Sequence, residues 1–179
     1  MHDVALYGHL TLDRIFNGFK TDQSVGSIGN VWKHLKTVSP KLNIHLGPTD
    51  IGEALILIDE RSRERSSIAN LSIKTKDPTL KKSKWSHVLY INELSNIDYI
   101  KDIKDGIVSA DVCRGKKIKD LQILQQVDYL FLSDEDLDCN PKDLLNYLRK
   151  GMILHSPSGS VFYNKQGIEH KNKVDTIGN

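Results

Sequence analysis

Cysteine is scarce in this sequence, and its scarcity excludes two classes of protein. Cys113 and Cys139 are the only two cysteines in 179 residues, which favours reduced thiols in the cytoplasm over a disulfide framework. The seven histidines are scattered, and no two of them lie at metal-ligand spacing with a cysteine. We therefore expect neither a disulfide-stapled secreted domain nor a zinc site.

Long apolar runs and a strong net charge are also lacking. No run approaches the roughly 18 apolar residues that a membrane-spanning helix needs, and the first seven residues lack the basic start and apolar run of a signal peptide. The formal net charge of +2 is too small to indicate nucleic acid or an anionic membrane as a partner. We expect a cytoplasmic protein that binds neither.

The residues that are present are typical of a soluble globular domain. Hydrophobic residues make up 39% of the sequence and charged residues 27%, and 179 residues suffice for one α/β domain with a core. We find no internal repeat, low-complexity tract or clear linker. The sequence therefore predicts a single domain over residues 1–179.

Short apolar runs predict the first strands. Residues 4–8 end in glycine and are typical of a buried parallel strand. Asp13 follows in a predicted loop, where it could reach a ligand crevice beyond the strand end; a solvated loop aspartate explains it equally well. Residues 42–48 predict a second core strand closed by a Gly-Pro turn.

A glycine-rich turn at 23–30 precedes a predicted helix with apolar residues at 31, 32, 35 and 38. One interpretation is that Asn30 is an ordinary helix cap. The other is that the glycines let a ligand approach the backbone while Asn30 donates a hydrogen bond to it. The segment is not a GxGxxG motif and is weak evidence for a dinucleotide.

Two different strand arrangements follow. The sequence predicts strands at 54–58 and 66–74 joined by a charged loop, which together indicate a hairpin with one solvent-exposed face. From Trp85 onward, strands alternate with candidate helices near 97–103, at 121–126 and at 141–150. This alternation predicts right-handed crossovers and a mostly parallel sheet.

Taken in order, these features resemble the ribokinase-like (PfkB) family of carbohydrate and nucleoside kinases over nearly the whole chain. Gly26 and Asn30 match the family's Gly-Gly-x-x-x-Asn signature, with Val25 at the first glycine position. Asp13 is similarly placed to the family's sugar-binding acid. The resemblance implies an α/β fold: a mostly parallel sheet flanked by helices, with a small β lid approximately within 54–74.

The same resemblance extends to the phosphate side of the family's site. Asp111 stands where the family often has Asp-x-Asn, and Cys113 takes the Asn place. Asp136 keeps the carboxylate of the family's Asn-x-x-Glu element, while Ser133 replaces its Asn. Gly159 fits the Gly-x-x-Gly segment that holds the nucleotide. By resemblance, Ser133 and Gly159 would contact the nucleotide, and Asp136 would act on Mg²⁺ through water.

The end of the sequence resembles the start of the family's C-terminal signature, Asp-Thr-x-Gly-Ala-Gly-Asp. Thr176 and Gly178 would begin an anion hole that Asp175 orients. The family's catalytic base, the last Asp of the signature, would lie beyond Asn179. We therefore expect the C-terminal part of the fold to be missing and the chain alone to be inactive.

The resemblance implies a carbohydrate kinase that uses ATP and Mg²⁺ to phosphorylate a hydroxyl group of a sugar or sugar phosphate. A kinase-like domain that binds a sugar or nucleotide without turnover is the main alternative. An unrelated α/β enzyme, such as an NAD-dependent one, would need its glycine-rich turn directly after the first strand. The predicted lid hairpin has one solvent-exposed face, and its other face is available to pack on a second copy of the chain. A homodimer through the lid is therefore a further hypothesis.

Overall fold

Strands dominate this chain and form one mixed sheet. The computed structural model describes residues 1–62, 65–74, 77–113, 117–118, 120–134, 136, 140–166 and 169–173. The strands are β1 (His2–Asn17), β2 (Lys20–Ser27), β3 (Ile44–Ile58), β4 (Arg65–Lys74), β5 (Ser83–Val88), β6 (Ile107–Asp111), β7 (Tyr129–Ser133), β8 (Gly151–Ser156), β9 (Gly159–Asn164) and β10 (Glu169–Lys173), and one α-helix, α1, spans Ile28–Val38.

The strand order is β10-β9-β8-β7-β6-β5-β1-β3-β4, with β2 paired to β1 off this path. Five of the nine described pairings are parallel: β1 with β3 and with β5, then β5 with β6, β6 with β7 and β7 with β8. The remaining four are antiparallel. The prediction of a mostly parallel sheet is thus confirmed.

The first strand is longer than the sequence predicts. β1 continues through its polar half to Asn17 because that half has a hydrogen-bonding neighbour on each side, β2 antiparallel and β3 parallel. The apolar content of the sequence does not reveal such a strand, because hydrogen bonds to β2 and β3 hold its polar residues in the sheet. The expectation that Asp13 lies in a loop is therefore wrong; Asp13 lies within the strand.

The predicted Gly-Pro turn is also wrong, because β3 runs straight through Gly47 and Pro48. The register against β1 shifts at this point, where Gly8 pairs with Pro48 and His9 with Asp50. The irregularity accommodates Thr49 and lets the strand continue. Beyond it, β3 pairs antiparallel with β4 from Asp50 to Ile58, as the sequence predicts for 54–74.

The predicted helix after the glycine-rich turn is confirmed as α1, but the later helix candidates are only short 3-10 helices. They span Asp98–Asp102, Leu121–Gln126 and Pro141–Asn146. The last cannot continue to residue 150 because the N–H groups of Arg149 and Lys150 donate to the carbonyls of Val127 and Asp128. Among the described residues, no helix is long and apolar enough to cross a membrane.

The two faces of the sheet are covered unequally. The 3-10 helices and the loop after β5 bury the larger cluster on one face, including Tyr7, Ile100 and Leu130. On the other face, α1 buries a small cluster built on Leu6 and Ile28. The carboxyl ends of the parallel strands lie along one edge of the sheet, between its two covered faces, and this is the edge where ligands bind in open α/β sheets.

Candidate functional site

A polar strip lies along the far half of β1. His9, Thr11 and Asp13 alternate with apolar residues and so share one face of the strand. All three are buried, with Asp13 only 6% exposed. The Thr11 hydroxyl donates a hydrogen bond of 2.7 Å to Asp13 Oδ1. This bond fixes a carboxylate whose other lone pairs remain able to accept from a ligand.

The neighbouring strand leaves room for this carboxylate. Gly26 on β2 pairs with Thr11. A Cβ at Gly26 would lie 2.0 Å from Thr11 Oγ1 and 2.4 Å from Asp13 Oδ1. Any side chain there would therefore displace both groups, so the glycine is required by the position of Asp13.

Asn30 lies in the first turn of α1, directly after the β2 segment that carries Gly26. Its Oδ1 accepts a hydrogen bond of 3.2 Å from the Ser24 hydroxyl, and Ser24 pairs with Asp13 across the strands. The structure thus brings the three predicted acceptor-side residues, Asp13, Gly26 and Asn30, to the β1–β2–α1 junction. Asn30 is exposed, so its side-chain amide is open to solvent.

Sequence reasoning missed a buried group beside this strip. His9 Nε2 lies 3.3 Å from Asp50 Oδ2, and His9 Nδ1 lies 3.9 Å from Glu93 Oε2. The Asp50 side chain has no solvent exposure and accepts hydrogen bonds from the backbone and hydroxyl of Ser95. The period-two alternation of His9 with Thr11 and Asp13 would have revealed His9 once the strand was extended.

A second polar group lies at the ends of β5 and β6. Asp111 Oδ1 accepts a hydrogen bond from the backbone N–H of Tyr90, and Asp111 Oδ2 lies 3.9 Å from His87 Nε2. Burial raises the pKa of Asp111 to about 7, against the opposing Tyr90 hydrogen bond and with the help of the nearby Asp136 charge. Burial lowers the pKa of His87 to about 4. His87 is therefore neutral at pH 7.

The neutral imidazole belongs to a hydrogen-bonded chain. Trp85 Nε1 donates to Ser109 Oγ at 2.6 Å, and Ser109 Oγ lies 2.8 Å from His87 Nδ1. Because the indole can only donate, the Ser109 hydroxyl proton goes to one of two acceptors, His87 Nδ1 or the Ser86 carbonyl, which lies 3.4 Å from Ser109 Oγ. His87 Nδ1 accepts in the first arrangement, which places the imidazole proton on Nε2, and donates in the second.

The predicted phosphate-side residues gather at the same edge of the sheet. Ser133 ends β7, and its backbone N–H donates to Asp136 Oδ2 at 2.6 Å. Ser133 pairs with His155 on β8, and Gly159 closes the following turn onto β9 opposite Ser156. Asp111 and Ser133 thus mark the carboxyl ends of β6 and β7, and Gly159 begins β9 just after the carboxyl end of β8.

Four further positions were singled out from the sequence. Asp175, Thr176 and Gly178 lie outside the described residues. Cys113 is fixed through its backbone, which exchanges hydrogen bonds of 2.9 and 2.6 Å with the Asn92 side chain. In the described part of the chain, no three His, Cys, Asp or Glu side chains form a group that could hold a metal ion.

No family model matches this chain, and no curated protein does. Solved structures do match. A ribokinase from Thermotoga maritima is 15% identical, and the match covers 99% of this chain and 79% of that chain with a TM-score of 0.66. A ribokinase from Arabidopsis thaliana, complexed with ribose and ATP, is 10% identical, and the match covers 97% of this chain and 78% of that chain with a TM-score of 0.65.

A pyrophosphate-dependent kinase in the ribokinase family, solved with sulfate, matches equally well (14% identity, 98% of this chain, 80% of that chain, TM-score 0.68). Identities this low show a common fold, which confirms the predicted ribokinase-like architecture. Activity, donor and acceptor have to be argued from this chain's own residues.

Proposed function

We propose that this chain is a carbohydrate kinase domain, which binds a sugar or sugar phosphate as acceptor and transfers a phosphoryl group to its hydroxyl. The observation that carries the proposal is the Asp13 carboxylate, which Thr11 fixes in the space that Gly26 leaves open. A buried carboxylate with free lone pairs is suited to accept hydrogen bonds from sugar hydroxyls. Asn30 adds amide donors and an acceptor at the same junction.

The donor is assigned to the edge formed by β6 to β9. We propose ATP, with Ser133 and Gly159 on the nucleotide side, since Ser133 ends β7 and Gly159 begins β9 after the turn that follows β8, at the same edge of the sheet. Pyrophosphate is the other donor to test, because the fold includes a pyrophosphate-dependent kinase. Asp175, Thr176 and Gly178 are proposed as the start of the anion hole over the transferred phosphate.

Mg²⁺ fits the two carboxylates at this edge in an outer-sphere role. Asp136 Oδ2 already accepts from the Ser133 N–H, and the same carboxylate can accept from a metal-bound water. Burial raises the pKa of Asp111 to about 7, and a nearby cation would favour its ionised form. Mg²⁺, when bound, would neutralise charge on the phosphates.

Phosphoryl transfer on this fold depends on position and electrostatics rather than on covalent chemistry. The strip on β1 holds the acceptor hydroxyls, and the buried His9–Asp50–Glu93 group beneath it keeps the strand and the loop after β5 in register. Cytoplasmic location and a homodimer through the β3–β4 pair remain part of the same proposal.

Replacing Asp13 by asparagine is expected to weaken sugar binding by about ten- to hundred-fold, because a hydrogen bond to a charged group contributes about 1.5–3 kcal/mol. Calorimetry with ribose and a panel of other sugars and sugar phosphates measures the affinity for the acceptor. Titration with ATP and with pyrophosphate measures the affinity for each donor, which the substitution should leave unchanged.

Asp102→Asn is the matched control, since it makes the same charge change at an exposed side chain. Sugar binding that survives Asp13→Asn unchanged would contradict the acceptor assignment. Binding of sugar by the wild-type chain without binding of ATP or pyrophosphate would favour a binding domain instead of an enzyme. Phosphoryl transfer by the wild-type chain would contradict the expectation that the chain alone is inactive.

A further inference from the structure

Tyr90, the second residue after β5, has a backbone conformation that its side chain disfavours. Its φ is 58°, in the left-handed region that residues other than glycine seldom occupy, because the Cβ then lies close to the following carbonyl oxygen. In the part of the chain that the structure describes, Ser27 is the other non-glycine residue with a positive φ, and it directly precedes α1. Such conformations persist where surrounding contacts hold them, and they cluster at functional sites.

Hydrogen bonds fix the backbone of Tyr90 on both sides of its Cα. Its N–H donates to Asp111 Oδ1 at the end of β6, and its carbonyl accepts from the N–H of Glu93 at 2.7 Å. Because the N–H precedes the φ rotation, it stays directed at β6 while the chain after it turns toward β1. The Tyr90 side chain packs against the small cluster that α1 buries. Backbone and side chain are therefore both held.

The turn that begins at Tyr90 contacts the polar strip of β1. The centroids of the Tyr90 and His9 rings are 6.4 Å apart, with an angle of 61° between their planes, and Glu93 Oε2 lies 3.9 Å from His9 Nδ1. His9 shares its face of β1 with Thr11 and Asp13. Because His9 is only 5% exposed, it has little room to move independently of these neighbours. A shift of Tyr90 therefore reaches the strip through His9.

The residue type at position 90 is informative. A turn that only ended β5 would be less strained with glycine, which adopts a positive φ because it has no Cβ. Glycine would, however, remove the ring that contacts His9. Tyr90 therefore combines a strained backbone, which the hydrogen bond to Asp111 holds, with a side chain that reaches the polar strip.

We propose that Tyr90 is a positioning residue that links the two halves of the proposed site, the β6–β9 edge at Asp111 and the polar strip of β1. This inference rests on the proposed function. While Asp111 accepts the Tyr90 N–H, the left-handed conformation is held and the ring supports His9 beside the acceptor residues. Without that acceptor, Tyr90 relaxes to a negative φ and its ring leaves His9. Because coupling between sites is reciprocal, a sugar that fixes the strip also fixes the orientation of Asp111.

The test measures the sugar affinity of the full 179-residue chain by calorimetry without a donor, using ribose and the same panel of sugars and sugar phosphates. Asp111→Ala removes the acceptor of the Tyr90 N–H and should weaken sugar binding about five- to ten-fold, in the lower range of couplings between sites. Asp111→Asn, whose amide oxygen can still accept this hydrogen bond, should weaken it less. In a Tyr90→Gly background, where no ring contacts His9, Asp111→Ala should change the affinity less than about two-fold.

Asp128→Ala is the matched control, because Asp128 is also a buried carboxylate that accepts a backbone N–H, that of Val108 at the opposite end of β6. It should lower stability and leave the sugar affinity of the folded protein unchanged. Circular dichroism establishes that each variant is folded, and Tyr90→Gly alone, which should also weaken sugar binding, gives a second measure that leaves Asp111 in place.

Two results would overturn this inference while the proposed acceptor site stands. One is wild-type sugar affinity in folded Asp111→Ala or Tyr90→Gly protein. The other is an equal loss of affinity on Asp111→Ala in the wild-type and Tyr90→Gly backgrounds. A wild-type chain that binds no sugar overturns the proposed function and this inference together.

Discussion

Asp111→Asn should give a protein whose stability, relative to wild type, rises with pH between about 4 and 6.5, while His87→Gln should give one whose relative stability falls over the same range. The reason is the opposite shift of two neighbouring pKa values. Burial raises that of Asp111 from 3.8 to about 7 and lowers that of His87 from 6.5 to about 4.

The sign follows from the protons that each state binds. His87 is neutral in the folded chain and protonated in the unfolded chain below pH 6.5, so its contribution to stability is lost as pH falls toward 4. Asp111 is protonated in the folded chain and ionised in the unfolded chain above pH 3.8, so its contribution is lost as pH rises toward 7. In wild type, the two slopes oppose each other and largely cancel.

Each variant removes one of the two slopes. The remaining change across the window is on the order of 3 kcal/mol at most, from about 1.4 kcal/mol per pKa unit, and is reduced because the side chains of His87 and Asp111 are 17% and 23% exposed. Urea unfolding at several pH values, reported as the difference from wild type, measures it. Asp136 acts on Asp111 and should be checked with Asp136→Asn. Parallel pH profiles for wild type and both variants would contradict the assignment.

Gly26→Ala should abolish measurable sugar binding, with a loss of more than about a hundred-fold in affinity. The added Cβ would lie 2.0 Å from Thr11 Oγ1 and 2.4 Å from Asp13 Oδ1, so both side chains must rotate out of the positions that form the acceptor site. The fold should survive, because the atoms that clash are side-chain ends, at a cost of about 1–3 kcal/mol.

Gly47→Ala is the matched control. Its Cβ would lie 2.6 Å from the Tyr7 ring, so it also crowds a side chain, but one that is part of the core. It should lower stability without lowering sugar affinity in the folded protein. Calorimetry on both variants below their unfolding transitions compares the two; a folded Gly26→Ala protein with wild-type affinity would contradict the proposed site.

The sequence predicted the elements that have a strong local signal. The apolar runs of β5 to β8 and the amphipathic α1 were predicted because burial on one or two faces imposes a period. The polar half of β1 was missed because hydrogen bonds to β2 and β3, which are distant in sequence, hold it in the sheet. The turn predicted at Pro48 was wrong for a similar reason: a bulge beside Pro48 accommodates the proline within the strand.

The resemblance to a family signature named part of the candidate site. Gly26 and Asn30 were predicted from that resemblance and stay predictions. His9 and Asp50 belong to no signature, since they are 41 residues apart in number and meet only through the β1–β3 register. The pKa shifts of His87 and Asp111 depend on burial in the folded sheet, and no local sequence pattern predicts that burial.

The length of β1 has a mechanical consequence. The first half of this 16-residue strand belongs to the central sheet, and its second half, which carries Asp13, forms an extension of the sheet with β2, β3 and β4. The extension therefore cannot swing on a loop, and any closing movement has to bend the shared strand. The register between β1 and β3 breaks between Gly8 and His9, where Gly8 has a φ of 140°. That point is the natural pivot. Because the buried His9–Asp50 contact lies directly beside it, bending there would first change the distance between these two side chains.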